Sequence, residues 1–252
     1  MFMKPIFCVL NHYRPIVDHE KEIDKGHGRG KAKGRADGRI MLRNFLDSLE
    51  DSIDIDYDVV IVDNASSDLV DNVDIPLKYN YIYNDDDKFG VTRGWNLCAN
   101  FGYMNGNDFI LVCNDDLVFN KTINNFFIDI QNLSDDYNID DLLFGITAPN
   151  GPGLHNSLFH KPGKIYDITN DNHPVSGGLH GWFFGFTRGY YKKFQTDGKL
   201  FDVEENFPWQ GNERFQRDHR KKGGKQLIIG STIVDHGFSG GWRHRREVCE
   251  NE

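Results

Sequence analysis

The stretch FILVCNDDLVF, residues 109 to 119, joins an apolar run to three consecutive polar residues. The run DFILVC (108–113) is continuous enough to form a strand that is buried on both faces of a sheet. Asn114, Asp115 and Asp116 follow it directly. Carboxylates on a rigid strand end suit a hard divalent cation such as Mg²⁺ or Mn²⁺, although Asn and Asp are also favoured in turns and at helix N-caps.

Similar apolar runs recur in the first half of the chain and alternate with helical patterns. Strands are predicted at PIFCVL (5–10), YDVVIV (57–62) and YNYIY (79–83). Helices are predicted around 42–49 and over 92–104 and 121–133, where apolar residues lie three and four apart. This alternation predicts an α/β fold with a mostly parallel central sheet flanked by helices.

The chain after residue 134 is predicted to be richer in loops. Its stretch APNGPGLHNSLFHKPG (148–163) is dense in Gly, Pro, Asn and His. A strand is predicted at 180–187, a helix near 209–222, and a last strand within KQLIIGSTIVDH (225–236). The length of 252 residues and the apolar content of 38% fit a single domain over residues 1–252.

Composition and termini limit the class of protein. The net charge of −9 argues against a polyanionic partner unless the charges are segregated along the chain. The N-terminal apolar run is shorter than the roughly 7 to 15 residues of a signal-peptide core, and no run approaches the roughly 18 of a membrane span. Cys8, Cys98 and Cys113 lie in apolar segments, and the chain has no C-x-x-C pair. We therefore expect a soluble cytoplasmic protein with reduced thiols and no membrane span.

Polar residues follow the predicted strands at the positions where parallel sheets bind ligands. VLNHYR follows the first strand, VDNASSD (62–68) the second, and CNDDL the fourth. In the second of these, Asp63 is placed to hydrogen-bond a base or ribose. The alternative is a capped helix start, because Ser66 or Ser67 would serve as an N-cap.

The order of these motifs resembles that of the GT-A-fold, family-2-like glycosyltransferases, which transfer a sugar from a nucleotide diphosphate with inversion. One such motif is weak, whereas several in the same order are hard to obtain by accident. The resemblance runs from about residue 5 to about residue 240. Its segments are VLNHYR, IVDNASSD, NDDDKFGVTRGWN (84–96), CNDDLVF, GWFFGFTR (181–188), FDVEENFPWQGNERFQRDHRKKGG (201–224) and STIVDHGFSG (231–240).

The resemblance implies that residues 1–133 bind a nucleotide-diphosphate sugar and residues 134–252 bind the acceptor and carry out catalysis. The candidate donor-binding residues are Asn11, Tyr13, Asp63, Arg93 and Asp115. Arg93, at a predicted helix start, is alternatively a surface arginine, and Tyr13 is alternatively a core aromatic residue. The resemblance also implies that Mn²⁺ or Mg²⁺ is held by Asp116 and His236, with Asn114 assisting. Such an ion would stabilise the charge on the leaving phosphate.

An inverting transfer also requires a general base that removes the acceptor proton. The family usually has Glu-Asp at this position, whereas this chain has Asn212 followed by Glu213. The resemblance therefore implies that Glu213 is the base, with Asp202 and Asp218 as fallbacks. The alternative is that Glu213 is a solvated residue on a charged helix.

Basic residues are concentrated in three stretches. Residues 25–39 and 214–225 each contain six Lys or Arg against one Asp, and residues 243–246 contain three against none. Phosphates of a polyanion would bind such residues, and GWFFGF would stack on an extruded base. The candidate acceptor-binding residues are Trp182, Phe183, Arg214, Lys31, Lys33 and Arg35. The acceptor is then hydroxyl-bearing modified DNA or else a glycan, unless these stretches are merely solvated basic loops.

Two other kinds of nucleotide-binding enzyme are disfavoured. The turn after the first strand contains neither G-x-G-x-x-G nor a Walker sequence, and it lacks the glycine-rich basic loop of a sugar nucleotidyltransferase. The remaining alternative is a non-catalytic nucleotide- or sugar-binding module of the same fold, which Asn212 favours.

Overall fold

The computed structural model describes most of the chain. The described residues are 4–11, 38–64, 66, 79–84, 90–134, 136–148, 163–169, 179, 181–201 and 210–236, apart from the side chains of 38–40, 90 and 210–214.

The described residues form an α/β fold. Its strands are β1 (Pro5–Asn11), β2 (Asp58–Asn64), β3 (Asn80–Asn84), β4 (Phe109–Asn114), β5 (Leu117–Val118), β6 (Leu142–Thr147), β7 (Ile165–Asp167), β8 (Phe183–Thr187), β9 (Lys225–Ile233) and β10 (Asp235–His236). Its helices are α1 (Gly38–Ser52), α2 (Gly90–Asn105), α3 (Ile123–Leu133), α4 (Arg188–Phe194) and α5 (Gln210–Lys221), with a 3₁₀ turn at Ile139–Asp141.

The central sheet has the strand order β3-β2-β1-β4-β8-β6-β9-β7. Strands β3, β2, β1 and β4 are parallel to one another, and so are β6 and β9. Strand β8 is antiparallel to both β4 and β6, and β7 is antiparallel to β9. The prediction of a mostly parallel central sheet flanked by helices is confirmed.

The register of the four parallel strands aligns their carboxyl ends. Asn11 of β1 pairs with Asp63 of β2, and Leu10 pairs with Asn114 of β4. Because parallel strands end at the same edge, the polar residues singled out in the sequence lie side by side there. We call this side of the sheet the carboxyl edge.

Both faces of the sheet are covered by apolar helix faces. On one face, α1 and α3 contribute Leu42, Phe45, Leu46, Leu49, Phe126 and Ile130 to a core that includes Phe7 and Leu111. On the other face, α2, α4 and α5 contribute Trp95, Cys98, Tyr190, Phe194 and Phe215 to a second core with Ile6 and Val112. Burial on both faces explains why β1 and β4 are continuous apolar runs.

Helix α2 crosses the sheet unusually closely, because two glycines face the strands. A Cβ on Gly94 would lie 2.3 Å from the Leu10 side chain, and one on Gly102 would lie 2.8 Å from Ile110. Neither distance is tolerated without movement of the neighbour. The close approach holds the first turn of α2 against the carboxyl end of β1.

The second half of the chain is more regular than its sequence indicates. Strand β6 lies within the part expected to be loop-rich, and it is buried along its whole length. Its six residues, LLFGIT, are short and contain a glycine, so periodicity alone does not distinguish them from a loop. Helix α4 begins at the Thr187 N-cap, whose hydroxyl accepts a hydrogen bond from the Tyr190 N–H at 2.9 Å.

The described cysteines agree with the expectation of buried thiols. Cys8, Cys98 and Cys113 are fully buried and unbonded to one another, and burial raises the pKa of each well above its ordinary value. Cys249 lies outside the described residues. Among the helices of the described ranges, none combines the length and the apolar character that crossing a bilayer requires.

Candidate active site

Asn11 and Asp63, two of the predicted donor-binding residues, lie together at the carboxyl edge. The Asn11 side-chain amide donates to Asp63 Oδ2 at 3.5 Å, and both residues are buried. Asp63 Oδ1 accepts from the Ser66 N–H at 2.9 Å. Ser66 therefore lies against the end of β2, where its backbone N–H donates to the Asp63 carboxylate.

Tyr81 is a third member of this group, and the sequence did not single it out. Its hydroxyl donates to Asp63 Oδ2 at 2.6 Å from the neighbouring strand β3. Burial, together with the Asp63 carboxylate, raises the pKa of Tyr81 well above its ordinary value. The phenol therefore stays protonated and remains a hydrogen-bond donor to Asp63.

Asp116 and His236 are brought together by the two-stranded sheet of β5 and β10. His236 pairs with Leu117 in this antiparallel ladder. His236 Nε2 lies 3.4 Å from Asp116 Oδ2, and both residues are 7% exposed. Two residues that are distant in sequence thus converge at the end of β4, as the resemblance implies.

Side chains that follow β5 hold the segment that leads into His236. The Asn120 amide donates to the Ile233 carbonyl at 2.9 Å, and the Ile233 N–H donates to Thr122 Oγ1 at 3.0 Å. The Val234 N–H donates to the Thr147 carbonyl at 2.9 Å. The backbone on both sides of the Asp116–His236 pair is therefore fixed to the rest of the fold.

The Asp116–His236 pair fits a divalent cation. Asp116 Oδ1 is buried and accepts no hydrogen bond from any described residue, which is costly for a carboxylate oxygen unless a ligand or water completes it. Within the described ranges, no cluster of three or more His, Cys, Asp or Glu side chains is arranged around a common ion position. Two protein ligands suffice for Mg²⁺ or Mn²⁺ when substrate phosphates and waters fill the other positions.

The other two members of the NDD triplet are placed differently. The Asn114 side-chain oxygen accepts a hydrogen bond from Trp95 Nε1 at 3.3 Å, so this atom already has a protein partner. Asp115 is buried in the turn between β4 and β5. Asn114 would have to give up its bond to the Trp95 indole to bind a metal through this oxygen. Asp116, whose Oδ1 has no bond to a described residue, is therefore the principal candidate ligand of the triplet.

Arg93 lies in the first turn of α2 and is partly buried. The neighbouring Gly94 packs on Leu10 near the carboxyl end of β1, so Arg93 is positioned at the same edge as Asn11. A helix N-terminus with an adjacent cation suits an anionic ligand. Tyr13 lies outside the described residues.

Glu213 lies near the start of α5, and its side chain is outside the described residues. The helix is placed by aromatic packing: Phe215 contacts Phe201 at 4.7 Å between ring centroids, and Phe201 contacts Trp95 at 5.4 Å. Since Trp95 also bonds Asn114, a continuous set of contacts joins the start of α5 to the end of β4.

Asn96 is a functional candidate that the sequence analysis missed. Its amide donates to the Phe201 carbonyl at 2.8 Å, and its Oδ1 accepts from the Leu200 and Phe201 N–H groups at 2.9 Å. The residue is buried, so these bonds fix the chain just before Asp202, which lies outside the described residues. Asn96 is the last residue of the motif NDDDKFGVTRGWN (84–96), and its place in that motif is the one feature of the sequence that could have identified it.

The carboxyl-terminal end of α5 points away from the carboxyl edge. Helix α5 is followed by β9, whose first residue, Lys225, pairs with Leu142 at the start of β6. Phe144 and Leu111 both pair with Gly185, so this start is level with the start of β4. The described basic residues of the second basic stretch therefore lead to the opposite edge of the sheet.

Buried polar side chains fix α5 in place. Gln216 donates to the Leu179 carbonyl at 2.7 Å and accepts from the Leu179 N–H. His219 Nε2 bonds the Lys225 carbonyl at 2.9 Å, and Nδ1 accepts from the Tyr190 hydroxyl at 3.0 Å. Burial lowers the pKa of His219 from 6.5 to about 4, so the imidazole is neutral at pH 7. Asp218, by contrast, is exposed and lies near Lys221.

The candidate acceptor residues need reassignment where the structure describes them. Phe183 is fully buried and packs on Phe126 at 5.6 Å, so its ring belongs to the core and is not available for stacking on an acceptor. Trp182 is also buried, and its ring stacks on His236. The aromatic content of GWFFGF reflects packing around β8. Lys31, Lys33, Arg35 and the side chain of Arg214 lie outside the described residues.

Comparison with known proteins gives the fold. No protein-family model matches the chain, and no curated protein matches its sequence. Among solved structures, GalNAc-T7 crystallised with UDP, GalNAc and Mn²⁺ superposes with a TM-score of 0.61 and 12% identity, covering 93% of this chain and 44% of that one. S. aureus TarS 1-349 in complex with UDP-GlcNAc gives a TM-score of 0.57 and 17% identity, covering 92% of this chain and 57% of that one.

These superpositions show that the chain shares the α/β fold of the two solved structures. The protein has the GT-A fold. It spans about half the length of these two structures.

Proposed function

We propose that the protein is a metal-dependent glycosyltransferase that moves a sugar from a nucleotide-diphosphate sugar to an acceptor hydroxyl with inversion. The observation that carries the proposal is the buried Asp116–His236 pair. It lies at the same carboxyl edge of the sheet as the hydrogen-bonded residues Asn11 and Asp63. In the two solved structures compared above, the ligands are UDP with GalNAc and Mn²⁺, and UDP-GlcNAc. The GT-A fold with this strand-end constellation supports a nucleotide-sugar donor.

The nucleoside part of the donor is assigned to the ends of β1 and β2. Asn11 Oδ1 is buried and accepts no hydrogen bond from a described residue, so it is suited to receive an N–H or O–H group of a ligand. Asp63 is held rigidly by Ser66 and Tyr81. Arg93 and Asp115 are assigned to the donor diphosphate or sugar, because they lie at the same edge.

The metal ion is assigned to Asp116 and His236. When bound, Mn²⁺ or Mg²⁺ neutralises negative charge on the departing diphosphate. Asp116 Oδ1, which accepts no hydrogen bond from a described residue, would supply one ligand oxygen. His236 Nε2, 3.4 Å from Asp116 Oδ2, would supply the imidazole nitrogen.

In the proposed transfer, the acceptor oxygen forms a bond to the anomeric carbon while the bond from that carbon to the diphosphate oxygen breaks. The bonding electron pair leaves with the diphosphate. Glu213 accepts the proton of the acceptor hydroxyl, and attack on the face opposite the leaving group inverts the anomeric configuration. Asn96 holds the backbone of Leu200 and Phe201, and Phe201 packs on Phe215 of α5, the helix on which Glu213 lies.

The acceptor is proposed to be a polyanion, hydroxyl-bearing modified DNA, or else a glycan. Segregation of Lys and Arg into 25–39 and 243–246 is the feature that favours a polyanion. The second candidate function is a non-catalytic nucleotide- or sugar-binding module, and the observation that favours it is Asn212 in place of an acidic residue.

A thermal-shift screen over nucleoside diphosphates, with and without Mn²⁺, tests the donor assignment. A ligand that binds only the folded protein raises the melting temperature. The rise grows with the logarithm of the ligand concentration relative to its Kd. At least one nucleoside diphosphate is expected to raise the melting temperature, and more strongly with Mn²⁺. If no nucleoside diphosphate in the screen gives a Mn²⁺-dependent shift, the result counts against the glycosyltransferase and against the nucleotide-binding module.

A further inference from the structure

Trp182 lies directly against one of the candidate metal ligands. Its indole ring stacks on the imidazole of His236, with centroids 5.0 Å apart and planes inclined by 24°. The side chain is 4% exposed, so solvent does not compete for this face. The stacked ring therefore limits the orientations that the His236 imidazole can adopt.

The backbone of Trp182 is bound to β4, the strand that leads into the turn containing Asp116. The Asn114 N–H donates to the Trp182 carbonyl at 3.0 Å. The next residue, Phe183, begins β8 and pairs with Cys113 of β4. Trp182 thus continues the β4–β8 ladder up to the turn that contains Asp116, and its ring and its carbonyl contact both sides of the site.

The short ladder between β5 and β10 places the backbone of His236 but does not set the rotation of its ring. The ring must be oriented for Nε2 to face Asp116 Oδ2, which lies 3.4 Å away. Outer groups that orient a metal-binding histidine are usually hydrogen-bond partners of its second ring nitrogen, and removing one typically weakens metal binding by about 10- to 100-fold. We expect the same range for an indole that orients the ring by stacking.

We propose that Trp182 is a positioning residue of the metal site, in which its indole holds the His236 imidazole so that Nε2 and Asp116 face one cation. This inference rests on the proposed metal site. It replaces the acceptor-stacking role expected for Trp182 from the sequence. Trp182 thus has a function at the metal site, whereas the neighbouring Phe183 only packs in the core.

The test is Mn²⁺ binding to the full chain without any donor, followed by the electron paramagnetic resonance signal of free Mn²⁺. Trp182→Met fills much of the space without an aromatic plane, and Trp182→Phe restores a plane. Trp182→Met is expected to raise the Kd for Mn²⁺ by about 10- to 100-fold, and Trp182→Phe is expected to recover most of the affinity.

Phe126→Leu is the matched control, because Phe126 is a buried aromatic residue of the same core that contacts Phe183 but neither ligand. It should lose stability without a change in Mn²⁺ affinity. His236→Ala separates the two claims. If it weakens Mn²⁺ binding while Trp182→Met does not, the positioning role is wrong and the proposed function stands. If neither substitution changes binding, or the wild type binds no Mn²⁺ even when a nucleoside diphosphate is added, the metal site itself is wrong and the positioning role is wrong with it.

Discussion

His236 Nε2 lies 3.4 Å from Asp116 Oδ2 because β10 pairs with β5 shortly after the end of β4. The two residues are each 7% exposed. A carboxylate with one unbonded buried oxygen beside an imidazole is an expensive arrangement in a protein that binds nothing there. The pair is therefore the part of the structure from which function is most directly tested.

Replacing Asp116 should separate metal binding from folding. Asp116→Ala is expected to abolish Mn²⁺-dependent donor binding, since it removes the principal carboxylate. The free energy of unfolding without metal should stay level or rise, because a buried carboxylate with an unbonded oxygen is removed from an acidic cluster. Donor titrations with and without Mn²⁺, together with urea unfolding, check both parts. Unchanged Mn²⁺-dependent turnover in this variant would contradict the assignment.

Glu213→Gln should retain affinity for the nucleotide sugar and lose turnover by roughly a hundredfold or more, the usual contribution of a positioned base. Asp218→Asn is the matched control on the same helix, because Asp218 is exposed and pairs with Lys221. It should leave turnover within a few-fold of the wild type. Loss of activity in Asp218→Asn, with Glu213→Gln still active, would move the base.

Asn96→Ala should affect both stability and turnover. The substitution removes three buried hydrogen bonds to Leu200 and Phe201 and leaves their backbone groups unpaired, at a cost of about 2–4 kcal/mol. Mn²⁺ affinity should be retained, whereas turnover should fall because the chain leading to α5 loosens. The control Asn132→Ala changes an exposed asparagine on α3 and should stay within about 0.5 kcal/mol of the wild type. Equal stability of the two variants would contradict a stabilising role for the hydrogen bonds between Asn96 and residues 200–201.

His219 makes the stability of the packing around α5 depend on pH. The unfolded histidine gains a proton below about pH 6.5, whereas the folded one resists protonation until about pH 4. The unfolded state then binds more protons, so the stabilisation is complete above pH 6.5 and is lost as pH falls towards 4. Between pH 7 and pH 5 the loss is about 2 kcal/mol.

His219→Phe provides the comparison for this pH effect. The variant should be less stable than the wild type at pH 7, because Tyr190 and the Lys225 carbonyl lose their partner. The stability difference should shrink by about 2 kcal/mol at pH 5. Urea unfolding at the two pH values measures it, and a difference that is independent of pH would show that His219 is not the titrating group.

Binding to DNA is a separate prediction about the acceptor. If residues 25–39 bind phosphates, changing Lys31, Lys33 and Arg35 to Ala should weaken binding and reduce the log–log salt slope by about 1 for each phosphate that is no longer neutralised. Changing Lys192, Lys221 and Lys222 to Ala is the control, because these exposed residues lie on α4 and at the end of α5. Identical or flat slopes in the wild type and the first variant would favour a glycan acceptor.

The parallel half of the sheet was predictable because β1, β2 and β4 are doubly buried and leave continuous apolar runs. The polar ends of these strands were predictable for the same reason, since register in a parallel sheet aligns them. Strand β6 was missed because a six-residue run with a glycine resembles a loop. The roles of Trp182 and Asn96 were missed because they depend on contacts with His236 and Phe201, which sequence spacing does not encode.

Metal-dependent transfer from a nucleotide sugar is the central function proposed for this fold. The most direct measurement is release of nucleoside diphosphate from a panel of nucleotide sugars by the purified wild type, first with Mn²⁺ and then after the metal is removed with a chelator. We predict release from at least one donor, which stops on chelation, returns when Mn²⁺ is restored and is abolished in Asp116→Ala. Release that is unaffected by chelation or by Asp116→Ala, or its absence from every donor in the presence of Mn²⁺, would contradict the proposal.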